Sequence, residues 1–157
     1  NVDRIFIEDD RVDAFLFRDK SRATEFYSNW DDLNGGYYIE TVDGNDPRVE
    51  SEYVDVHFFL SSPQPVASEV YIYGQLSHYN LLPDFRMTYD DELRGYQADL
   101  LLKQGYYDYL YYTPEDPYLF EGSHFETRNT YEILIYYRPQ GKITEYPVGY
   151  AQFSSSP

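Results

Sequence analysis

The chain has no cysteine, one methionine and one tryptophan among 157 residues. Without cysteine it has no disulfide framework, no thiolate metal site and no thiol nucleophile. A chain of this length needs no such staples, because it can bury roughly 70% of its unfolded surface. Bases are scarce as well: 12 against 28 acids, a formal charge of −16. Such a surface repels phosphate, which excludes DNA, RNA and anionic lipid as partners. No apolar run reaches the roughly 18 residues of a membrane-spanning helix. Neither a Gly-x-Ser-x-Gly elbow nor a Gly-rich phosphate loop occurs. Among so many acids some pair falls within glycosidase range in any fold, so carboxylate spacing carries no signal. The three histidines, His57, His78 and His124, lack metal-ligand spacing. No catalytic residue, metal or cofactor is expected, and the chain reads as non-enzymatic.

What is abundant is tyrosine, 20 of 31 aromatic residues. Tyrosine favours strands and joins a large apolar ring to a polar tip. An acidic, Tyr-rich chain is therefore expected to be all-β with partly exposed aromatic faces. Enough aromatic mass is present to drive collapse despite the charge. A small membrane barrel would need uncharged strands of about 9–11 residues. The strands here read shorter, and Pro139 and Pro147 interrupt them.

Residues 1–50 hold more than twice as many acids as bases and only short apolar groups. Ile5–Ile7, Ala14–Phe17 and Tyr37–Ile39 read as strands of an N-terminal arm or interdomain segment packed on a sandwich formed by the rest of the chain. Ala23–Trp30 is a candidate short helix. Asp43–Pro47 reads as a turn rather than a calcium loop, since Pro47 takes a ligand position. Residues 51–153 read as one sandwich. Val54, Val56, Phe58 and Leu60 alternate with polar positions and point inward. Further strands are expected at Glu69–Gly74, Arg86–Tyr89, Tyr96–Leu102, Tyr106–Thr113, Thr130–Tyr137, Ile143–Tyr146 and Gly149–Phe153, with a polar hairpin at Asp90–Gly95. Residues 154–157 read as a linker, and a leader or preceding domain is expected before Asn1. The fold class is all-β: a two-layer, immunoglobulin-like, early-set sandwich with a β-rich arm.

Alternation assigns faces. Tyr107, Tyr109 and Tyr111, with Tyr131, Ile133, Ile135 and Tyr137, are expected to fill the core. Tyr106, Leu110, Tyr112, Leu134 and Tyr136 then form a second, partly apolar face, the candidate partner-binding surface. Leu110→Asp is expected to weaken capture and leave the fold intact. His57, two residues from Asp55 on a polar strand face, is expected to pair with it.

Two resemblances emerge from the motifs. Val70–Gly74, Met87, Tyr96–Leu102 and Gly105–Tyr111 resemble glycogen-binding modules of the early-set sandwich type. Tyr79 stands where those modules carry a sugar-stacking Trp, and Leu110 where they carry Lys. This resemblance implies Tyr79 and Tyr96 as glycan-binding residues. A longer similarity is to the plug-protein family of the type IX secretion system of Bacteroidota. It rests on Asp31–Ile39, Glu52–Phe58, Lys103–Gln104–Gly105–Tyr106–Tyr107 and Glu126–Thr127–Arg128–Asn129–Thr130–Tyr131 in shared order. That resemblance implies a protein on the periplasmic side of the outer membrane that docks to the large outer-membrane translocon barrel. Outside that complex it would be a monomer, with no span of its own.

Overall fold

The computed structural model describes residues 1–25, 32–41, 44, 46–124 and 129–155. The described strands are β1 (Val2–Glu8), β2 (Arg11–Leu16), β3 (Tyr37–Ile39), β4 (Tyr53–Ser61), β5 (Tyr71–Tyr73), β6 (Thr88–Asp90), β7 (Gly95–Lys103), β8 (Gly105–Tyr107), β9 (Leu110–Tyr112), β10 (Thr130–Tyr137) and β11 (Tyr146–Ser154). A single helical turn, α1, spans Pro47–Glu50. The candidate helix Ala23–Trp30 begins as a turn at Ala23–Glu25, and the rest lies outside the described residues, as does most of Asp43–Asn45. The fold is all-β and sandwich-like, as its alternating apolar strands and scarcity of helical periodicity dictate.

The chain forms two compact units, Asn1–Ser123 and His124–Pro157. The boundary thus falls far from residue 50. The N-terminal segment, expected as an arm packed on the sandwich, contributes strands to it. β1 and β2 are strands of the main five-stranded sheet, in the order β1-β2-β4-β7-β6. β2 joins β4 through a parallel ladder of three register pairs, Asp13–Asp55, Ala14–Val56 and Phe15–His57. β4 and β7 pair antiparallel along nine positions from Tyr53–Lys103 to Ser61–Gly95. The β6–β7 hairpin closes as its residues suggest: the Asp90 carboxylate accepts the N–H groups of Glu92 and Leu93 at 2.9 and 2.8 Å.

Ribbon β5–β9 supplies the facing layer. Between the layers Phe58, Leu60, Tyr96 and Leu100 meet Val70, Ile72, Tyr111, Met87 and Phe120. Leu60, Val70 and Ile72 are wholly buried, each contributing about 1.5–3 kcal/mol.

The strand expected at Tyr106–Thr113 is split into β8 and β9. The break is at Asp108, whose N–H donates to the Gly36 carbonyl at 2.9 Å and whose carboxylate accepts the Leu33 N–H. Those contacts pull Asp108 out of the ladder, so β8 pairs with β3 and β9 with β5. Alternation across the break fails accordingly. Tyr111 is buried at 2% exposure, while Tyr107 and Tyr109 are only half-buried.

The second unit is the antiparallel hairpin β10–β11, in register from Thr130–Ser154 to Tyr137–Tyr146. Its loop is held by the Arg138–Glu145 ion pair and by Gly141 at φ 79°. Of the two short strands expected within residues 143–153, the first is absent but for Tyr146, and β11 runs unbroken from there through Pro147, which sits at a register shift where its missing N–H costs no ladder bond.

Candidate functional site

Three features of the structure bear on function: aromatic ribbons, an uncovered hairpin and a charged crossing of the main sheet. The ribbons come first. β3 and β8 stack tyrosines on both of their faces, Tyr37 on Tyr107 at 5.2 Å and Tyr38 on Tyr106 at 4.9 Å. Tyr106 and Tyr38 remain 57% and 46% exposed. In ribbon β5–β9, Tyr112 stacks on Tyr73 at 4.8 Å, and Tyr79 meets Tyr73 edge-on at 6.0 Å. Tyr79 follows His78 in a turn where both residues take φ near +53°, a left-handed backbone that ordinary residues avoid. Its hydroxyl donates to the Gly35 carbonyl at 3.4 Å, and its ring stays half in solvent.

The five residues assigned to one partner face are carried by three separate two-stranded ribbons. Tyr106 lies on ribbon β3–β8, Leu110 and Tyr112 lie half-buried on β5–β9, and Leu134 and Tyr136 belong to the second unit. The continuous strand that would have aligned the first three does not exist. Of the glycan candidates, Tyr96 is 5% exposed in the core, and its hydroxyl accepts the Val66 N–H at 2.7 Å. A ring so enclosed has no free face for a sugar, so Tyr96 drops out and Tyr79 stays.

On the hairpin, every residue of β10 is exposed. Tyr131, Ile133, Ile135 and Tyr137 range from 46% to 57% exposed rather than core-buried, and Leu134 and Tyr136 on the opposite side are 54% exposed. A two-stranded ribbon has no layer of its own to cover either face. Within it Tyr131 stacks on Phe153 at 5.0 Å.

The charged crossing has no signature in the local sequence. His57 does not pair with Asp55. Same-face neighbours on one strand lie farther apart than residues directly opposite on adjacent strands. Its Nδ1 lies 2.7 Å from Asp99 on β7 and its Nε2 lies 2.8 Å from Asp13 on β2. Arg11 holds Asp13 at 2.6 Å and Asp55 at 3.1 Å. Phe15 stacks on the imidazole at 4.1 Å. Of these side chains Phe15, His57 and Asp99 border a groove of about 580 Å³, where Arg4 and Arg18 lie over Phe15 and Phe59 at 5.8 and 4.4 Å. Burial alone lowers the His57 pKa, but the bonds to Asp13 and Asp99 outweigh it and raise it. The bond from His57 in turn lowers that of Asp13.

Among the described residues no cluster of His, Cys, Asp or Glu has the arrangement of a metal site, and no helix is long and apolar enough to cross a membrane. Fold and surface together define a class, an all-β sandwich-like protein with exposed aromatic strands. No family model matches the chain, and no curated protein does. Among solved structures, it is similar to a hypothetical protein from Parabacteroides merdae, determined by crystallography at 2.30 Å. The two share 31% identity with a TM-score of 0.87 over 98% of this chain. The match spans only 40% of the Parabacteroides protein.

Proposed function

We propose that the chain is a non-enzymatic docking component, a plug-type protein that associates with the outer-membrane translocon barrel of a type IX secretion system from its periplasmic side. One observation carries the reading: hairpin β10–β11 exposes Tyr131, Ile133, Leu134, Ile135, Tyr136 and Tyr137 on both faces of a chain otherwise heavy with charge. Contiguous apolar surface of this kind is characteristic of interaction sites. The choice of partner rests on the shared motifs, Lys103–Tyr107 and Glu126–Tyr131 above all. Of these, residues 125–128 lie outside the described residues. Acidic loops would keep the free protein soluble and discourage wrong partners.

The test is capture from outer-membrane extract with tagged protein, wild type against Leu134→Asp/Tyr136→Asp. Leu110 no longer serves, since it is half-buried opposite Tyr73 and an Asp there would disturb the ribbon. Wild type should retain a large outer-membrane barrel identified by mass spectrometry, and the double variant should lose at least about 90% of it, the effect of removing two apolar anchors. Equal capture by both would sink the proposal. A second reading has one observation in its favour, the strained turn that holds Tyr79 against Tyr73 with an open face. Retention on a starch or glycogen gel, abolished in Tyr79→Ala, would replace docking by glycan binding.

A further inference from the structure

We propose that His57 is a titratable latch that holds the β1–β2 ribbon to the main sheet, so that the seam between β2 and β4 opens more readily as pH rises. This inference does not rest on the docking proposal. Its first ground is donor counting. Carboxylate oxygens only accept hydrogen bonds. Both ring nitrogens of His57 face one, Asp99 at 2.7 Å and Asp13 at 2.8 Å, so both must carry protons. The bound state is the imidazolium. A neutral ring has a single N–H and can satisfy only one of the two.

The second ground is register. Asp13 stands directly opposite Asp55 across the β2–β4 seam, and His57 stands opposite Asp99 across β4–β7. Like charges placed opposite one another destabilise a sheet. Here Arg11 from β2 and protonated His57 from β4 bridge the three carboxylates and offset two of their three charges. Of the remaining charges nearby, Glu8 of β1 stands opposite Arg11 and adds a further negative charge against it, Arg4 of β1 bonds Asp3 at 3.1 Å and lies over Phe15, and Arg18 lies over Phe59. Loss of the His57 proton therefore leaves three carboxylates facing one guanidinium. One of the two ring contacts then loses its hydrogen bond outright, because a bare ring nitrogen faces a carboxylate oxygen and neither can donate. The Asp13 side of the latch acts where screening is weak, since the His57 and Asp13 side chains are 19% and 15% exposed, whereas Asp99 is 71% exposed and is well screened.

The third ground is the shortness of the ladder: beyond it the same seam is tied by the Arg11–Asp55 pair at one end and by the Asp19 backbone bonds to Phe59 and Ser61 at the other, so opening is confined to residues 13–15. The β2–β4 ladder has three register pairs, and His57 is a member of one of them while stacking on Phe15. Once open, β4 becomes a sheet edge with free N–H and C=O groups, the arrangement that accepts an added strand.

The experiment is ¹⁵N NMR of the His57 ring combined with native-state hydrogen exchange. Amides of residues 13–15 and Val56 are read relative to amides of β6–β7, which cancels intrinsic base catalysis. At about pH 6 both ring nitrogens should be protonated. Between about pH 6 and about pH 8.5 the seam's opening constant should rise about tenfold for each unit by which the latched pKa exceeds that of the open form. In His57→Gln the same pH step should leave the ratio unchanged. Should that variant fail to fold, Asp99→Asn, which removes one of the two charges on the ring, should reduce the rise. A ring with one bare nitrogen at about pH 6, a wild-type seam indifferent to pH, or the same rise in the variants would each overturn the latch.

Discussion

Asp19 is the residue on which the interior polar contacts converge, although it belongs to no strand. Its carboxylate accepts the hydroxyls of Tyr109 and Tyr111 at 2.9 and 2.7 Å. Its backbone bonds Phe59 and Ser61 of β4 at 2.9 and 2.8 Å. Burial, reinforced by the negative charge of Asp19, pushes both phenols well above their ordinary range, which favours their role as donors to that carboxylate. Removing the acceptor and removing one donor are unequal injuries. Asp19→Ala strands two hydroxyls in the interior and should cost about 2–3 kcal/mol; Tyr111→Phe leaves the carboxylate one donor and should cost about 1 kcal/mol. Urea unfolding of both variants measures the difference. Costs in the reverse order would show that Asp19 does not serve as their acceptor. Nothing in the local sequence marks Asp19 for this role, because its partners lie 90 and 92 residues away.

At the scale of elements, legibility followed the reach of the forces involved. The inward face of β4 was readable, since Phe58 and Leu60 alternate in a ladder that needs only local periodicity. The β6–β7 hairpin was readable because Asp90 and its turn are contiguous. The break after β8 was not, since it is made by Gly36 and Leu33 from a distant segment reaching Asp108. The uncovered faces of β10 were not readable either, because alternation predicts a buried face without saying whether a second layer exists to bury it. Of the candidate residues, Tyr79, Tyr106, Leu134 and Tyr136 are exposed as expected, whereas the burial of Tyr96 was not legible, because its Val66 partner lies 30 residues away. The start of β8 offers an element-scale test. A Cβ on Gly105 would lie inside contact distance of the Tyr38 carbonyl oxygen, which is backbone of the paired strand and cannot swing away. Gly105→Ala should therefore detach β3 from β8 and cost about 1–3 kcal/mol. The checks are loss of the Tyr38–Tyr106 ring contacts by NMR and a lower denaturation midpoint. A variant that keeps both would place the Gly105 requirement elsewhere.

For the whole molecule, the net charge of −16 and the apolar surface make opposite demands on salt. Self-repulsion among unpaired carboxylates weakens as the screening length falls from about 30 Å at 0.01 M salt to about 10 Å at 0.1 M. Local ion pairs such as Arg86–Glu69 at 2.6 Å and Arg138–Glu145 weaken over the same range. Both are largely exposed, and exposed pairs are each worth about 0–1 kcal/mol at most, so repulsion should dominate. The thermal midpoint should rise as salt is added at neutral pH, and a fall would mean that the ion pairs outweigh the net charge. Partner capture separates the contact surfaces by the same logic. Docking through β10–β11 buries uncharged rings and aliphatic chains, so retention of the barrel should hold or strengthen from about 0.05 to about 0.5 M salt, since screening removes only repulsion. Docking through the acidic loops onto a basic partner would lose affinity steeply over that range. A steep loss would move the contact off the hairpin even if the barrel itself were recovered, leaving the partner intact and the proposed face wrong.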